Sequence, residues 1–128
     1  LDIVGKRRNA DRILDASAAC HMPDVLEMTV CSPPGIPKAT CGKRNRGVRC
    51  RLAGPTCLAG DVIGDYTFAR PLQEGDLVLF GDMAIYTTCK NNTFNGMPLP
   101  NIWKLDSEGG LTRLTDFGYE TFCSRLGR

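Results

Sequence analysis

Apolar and charged residues alternate through Val48-Arg49-Cys50-Arg51-Leu52, the period of a strand with one buried face. The strand runs straight into Gly54-Pro55-Thr56-Cys57-Leu58-Ala59-Gly60-Asp61, where two glycines and a proline in eight residues exclude regular helix or strand. A strand-held loop that presents a thiol and a carboxylate is therefore the centre of the pattern. Upstream, residues 1–4 and 12–15 are short apolar segments around the basic run Gly5-Lys6-Arg7-Arg8-Asn9, which predicts two strands and a loop. Residues 16–28 carry Pro23 in their middle, which predicts a strand end running into an irregular segment. Residues 32–47 are rich in Pro, Gly, Lys and Arg with little to bury, the pattern of an exposed basic loop.

Downstream, residues 62–63, 66–69 and 77–80 read as strands, with turn signals at 71–76 and at Gly81-Asp82. Residues 83–89 fit either a strand or a short helix, and Phe94-Asn95-Gly96 contains an Asn-Gly turn. Segments 102–105 and 111–114 flank Asp106-Ser107-Glu108-Gly109-Gly110 as a hairpin. Short strands with frequent turns and no long helix predict a mainly all-β domain, a β-barrel or β-sandwich, over residues 1–128.

The composition keeps this picture ordinary. With 128 residues the chain fits one domain, which buries roughly two-thirds of its unfolded surface. A formal charge of +2 and 42% hydrophobic residues favour neither a membrane nor a disordered tail, and no apolar run reaches the roughly 20 residues of a membrane span. The start at Leu1, already inside an apolar run, reads as the back part of something longer. Seven scattered cysteines without a Cys-x-x-Cys, and a single histidine, lack the spacing of structural zinc. They suit free thiols in a reducing, cytoplasmic setting, with Cys20, Cys31, Cys41, Cys50, Cys89 and Cys123 read as buried structural groups.

Gly54-Pro55-Thr56-Cys57 with Asp61, then Asp82-Met83-Ala84-Ile85-Tyr86-Thr87, then Thr93-Phe94-Asn95-Gly96, resembles the C-terminal β-domain of the alanine-racemase-fold pyridoxal-phosphate decarboxylases. The strings Cys20-His21-Met22-Pro23-Asp24, residues 54–66 and residues 82–100 narrow the resemblance to the carboxynorspermidine (carboxyspermidine) decarboxylase branch, from about Leu14 onward. The resemblance implies pyridoxal 5'-phosphate as cofactor, a carboxylated polyamine as substrate and a cytoplasmic homodimer. It places Cys57 on the cofactor face as proton donor, a task suited to a thiol that keeps its proton at neutral pH yet releases it readily. Tyr86 is the implied contact of the cofactor phosphate. Asp15, His21, Asp24 and Asp61 are the implied substrate contacts, carboxylates being natural partners of ammonium groups.

Leu58 departs from decarboxylases that carry an acid after the thiol, so a distal amine must be read by other groups. In this family the Schiff-base lysine lies on an N-terminal (β/α)8 barrel, and no such alternation of elements occurs here. Residues 1–15 then read as strands continuing from that barrel, and the loop would complete the active site of another subunit. Two other function classes compete. Lys43, Arg44, Arg46, Arg49 and Arg51 cluster as in a nucleic-acid-binding module, but without interleaved aromatics. A non-catalytic dimerisation or regulatory relative is opposed by the joint presence of Cys57, Asp61 and Tyr86.

Overall fold

Strand β2 (Val48–Ala53) organises the fold, with β1 (Ala10–Ile13) parallel on one side and β3 (Val62–Phe68) antiparallel on the other. The computed structural model describes residues 10–27, 47–81 and 83–128. The expected strands within residues 1–4, most of the 32–47 loop and Asp82 lie outside the described residues. The alternation in β2 is realised: Cys50 and Leu52 are buried while Arg49 and Arg51 face outward. Arg51 donates to both oxygens of Asp65, its cross-strand partner, at 2.8 and 3.0 Å, and Arg49 lies 3.9 Å from the same carboxylate. Two members of the basic cluster thus turn their charge to Asp65, a surface arrangement of the kind that contributes roughly 0.2–1 kcal/mol.

Ala18, Met22, Leu52, Ile63 and Tyr66 form the core, with Leu14, Val25, Phe68, Val78 and Phe80 packed against it. Tyr66 meets Phe80 edge to face at 6.2 Å. The sheet-built core agrees with the expected fold class, but helices take part in it. Where a strand end was expected, α1 (Ala18–His21) and α2 (Asp24–Glu27) flank Pro23, which does interrupt regular structure as its missing N–H requires. The ambiguous residues 83–89 form α3 (Ala84–Lys90), whose buried Thr87 faces inward.

Residues 77–80 are not a strand: Val78 and Phe80 pack on the core while Leu77 and Leu79 are exposed, so the apolar run satisfies packing without a ladder among the described residues. Strands β4 (Trp103–Leu105) and β5 (Leu111–Arg113) form the expected hairpin, closed by Asp106 Oδ1, which accepts from the N–H groups of Glu108 and Gly110. Helix α4 (Tyr119–Arg125), which the sequence pattern did not suggest, ends the chain.

Candidate active site

The loop between β2 and β3 is built around Asp61. This carboxylate is 3% exposed and its two oxygens take five hydrogen bonds. Oδ1 accepts from Ser17 Oγ at 3.0 Å and from the N–H groups of Ala18 and Ala19 at 2.7 and 3.3 Å. Oδ2 accepts from Thr56 N–H at 3.1 Å and Thr56 Oγ at 2.6 Å. One oxygen therefore caps the opening turn of α1 and the other cinches the loop, satisfying backbone donors that a short helix leaves open. Burial pushes the Asp61 carboxyl up, but the bonds from Thr56, Ser17 and Ala19 outweigh it and hold the group below the usual carboxylate range. Gly54 is required beside it, because a β-carbon there would stand 2.6 Å from the Asp61 carboxyl carbon.

Cys57 stands at the exposed tip of this anchored loop. Its thiol donates to Asn95 Oδ1 at 3.6 Å. Cys20 and Cys50 are buried as expected of structural thiols, whereas Cys89 is exposed and Cys123 partly so, which corrects the reading of those two. Cys31 and Cys41 lie outside the described residues.

Tyr86, on α3, is 58% exposed, and Lys90 Nζ sits 4.8 Å from the centre of its ring. Lys90 also donates to Asp24 Oδ1 at 3.1 Å, so Asp24 ties α2 to α3 beneath Tyr86. His21 is used on both ring nitrogens: Nδ1 accepts from Ser17 N–H at 3.1 Å, and Nε2 donates to the Pro98 carbonyl at 2.8 Å. Asp15 stands apart. It is exposed on a cleft of about 400 Å³ whose walls include Arg12, Leu72 and Phe80 but none of the other five residues expected at the site. Asn95 and Thr56 stood in the strings that carried the family resemblance but were given no role of their own, and Ser17 was not singled out. Asn95 is separated from Cys57 by 38 positions, and the resemblance quotes both strings without pairing the two residues.

Residues 2–84 match the family model of the pyridoxal-dependent decarboxylase C-terminal sheet domain. The chain belongs to the pyridoxal-dependent decarboxylases. It is 41% identical over 126 residues to the carboxyaminopropylagmatine decarboxylase of Synechocystis sp., covering 98% of this chain and 32% of that relative. It is 37% identical over 121 residues to the carboxynorspermidine/carboxyspermidine decarboxylase of Campylobacter jejuni, covering 88% of this chain and 32% of that relative. The crystal structure of the Campylobacter jejuni carboxynorspermidine decarboxylase complexed with norspermidine superposes with a TM-score of 0.80 at 34% identity, covering 97% of this chain and 36% of that one. The chain thus spans about a third of the length of these decarboxylases.

The groups this decarboxylase domain presents suit its family's cofactor: an exposed phenol and an exposed thiol, both outside the core. Three of the other expected residues are engaged within the chain. Asp61 bonds to Thr56 and the start of α1, Asp24 pairs with Lys90, and His21 donates to the Pro98 carbonyl.

Proposed function

We propose that the protein containing this chain is a pyridoxal-phosphate-dependent decarboxylase of carboxylated polyamines, converting carboxynorspermidine or carboxyspermidine to norspermidine or spermidine. The carrying observation is the exposed Cys57 thiol on a loop locked from below by buried Asp61. When bound, pyridoxal phosphate supplies the electron sink that lets the carboxylate depart as carbon dioxide. Cys57 Sγ would hold the proton that the decarboxylated carbon needs, and the Tyr86 hydroxyl would hold the cofactor phosphate by a hydrogen bond. The thiol faces outward, so what it serves comes from beyond the described residues; a homodimer in which this loop completes the partner's site fits that direction. The five described cysteines are all unpaired, which supports a cytoplasmic setting.

Substrate class follows from what the loop offers. Leu58, 43% exposed beside the thiol, cannot pair with a terminal ammonium, which disfavours ornithine-sized substrates. Asp15 is the exposed carboxylate among the expected substrate contacts and takes the role of an ammonium partner, with Asp61, Asp24 and His21 in supporting positions. The test is a substrate panel on the full-length protein with pyridoxal phosphate. Carboxynorspermidine or carboxyspermidine should exceed ornithine, arginine and diaminopimelate in kcat/KM by about a hundredfold or more. Faster turnover of any of those three amino acids would overturn the assignment.

A further inference from the structure

Cys57 is held by more than its own loop. Resting on the reading of Cys57 as proton donor, we propose that Asn95 is the positioning residue that orients the Cys57 proton before transfer and meets the sulfur after it.

Asn95 has φ 58° and ψ 20°, the single non-glycine residue with a positive φ among the described residues. Asparagine tolerates this left-handed conformation, and Gly96 continues the turn at φ 74°. The conformation accompanies the contact of the Asn95 amide with the Cys57 thiol, Sγ to Oδ1 3.6 Å.

Both partners are fastened to the same short piece of backbone. On one side, Asp61 binds the Cys57 loop to Ser17, Ala18 and Ala19. On the other, Asn92 binds the turn of Asn95 to the end of α1: its N–H donates to the Cys20 carbonyl at 3.0 Å and its Nδ2 to the Ala19 carbonyl at 2.9 Å. Asn92 Oδ1 then accepts from Phe94 N–H at 3.0 Å, and the Cys20 thiol donates to the Phe94 carbonyl at 3.5 Å. A closed circuit results, from thiol through Asp61, α1 and Asn92 to Asn95 and back. The separation of Asn95 from Cys57 is therefore set by framework bonds on both sides.

The amide suits both states of the donor. Its oxygen accepts the S–H before transfer, and its NH2 can turn to donate to the sulfur afterwards. In the step itself the S–H bond breaks, the proton goes to the carbon that lost carbon dioxide, and the S–H electron pair stays on sulfur. Water then returns a proton to the thiolate. A carboxylate at this position could accept the S–H but not donate to the thiolate.

Kinetics of the full-length enzyme on carboxynorspermidine test this with Asn95→Gly and Asn95→Asp, both compatible with the left-handed turn. Each should lower kcat about tenfold with KM changed less than about twofold and the thermal midpoint unchanged. The double variant Cys57→Ala/Asn95→Gly should be no slower than Cys57→Ala alone, because the two residues act as one unit. Wild-type kcat in Asn95→Gly beside a slow Cys57→Ala would overturn the inference about Asn95. Losses that multiply in the double variant would do the same, by giving the amide an independent role. Full activity in Cys57→Ala would instead sink the proton-donor reading, and Asn95 with it.

Discussion

Replacing Cys57 by alanine should lower kcat of the full-length decarboxylase by about 10²–10⁴-fold, the usual contribution of a positioned general acid. KM should stay within a few-fold, because the thiol acts on the proton and not on the charges by which a polyamine is held. Stability should barely move. Cys57 is exposed and its sulfur donates to Asn95, unlike Cys20 and Cys50, which are 0% and 1% exposed. Serine in its place should recover little, since a hydroxyl gives up its proton far less readily than a thiol. Steady-state kinetics with a thermal melt decide the matter, and a Cys57→Ala enzyme at wild-type kcat would remove the loop from the chemistry.

Asp61→Asn should destabilise the protein by about 2–3 kcal/mol and slow turnover as well. The substitution is isosteric, but every direction around the carboxylate is occupied by a donor: Ser17, Ala18 and Ala19 on one oxygen, Thr56 on the other. Whichever way an amide is turned, its NH2 faces an N–H group and leaves it unpaired. The effect has a pH signature. The folded carboxyl is held below its ordinary range, so its stabilisation is fully present above the unfolded value of about 3.9 and is lost as pH falls through the folded value. Denaturant unfolding of wild type and variant should differ most above about pH 5, with the gap closing in acid. A gap that is constant across that range would show that the charge is not what anchors the loop.

What the sequence made legible was short-range. The alternation of β2, the breaker density of the 54–61 loop and the Gly-rich hairpin of β4 and β5 are local signals, and each appears as expected. Helix α1 was missed although Ser17 caps it locally through Cys20 N–H, because it is a single turn, and the carboxylate that completes its N-terminus comes from Asp61, 44 positions downstream of Ser17. The apolar run at 77–80 misled for the converse reason, since its alternate side chains pack on Tyr66 and its neighbours without strand pairing among the described residues. At the site, Cys57 stood out by its loop and by family resemblance. The protein partners of Asp61, Asp24 and His21 were not legible, because an aspartate bound to a substrate amine and one bound to Lys90 look alike in a sequence.

The central claim is that this chain holds the proton-giving part of a shared site while the lysine that anchors the cofactor lies elsewhere in the protein. The most direct measurement is borohydride reduction of the full-length holoenzyme, followed by peptide mass spectrometry to locate the reduced cofactor. The account predicts a single pyridoxyl-lysine outside these 128 residues, with Lys6, Lys38, Lys43, Lys90 and Lys104 unmodified. A pyridoxyl group on any of those five lysines would contradict it.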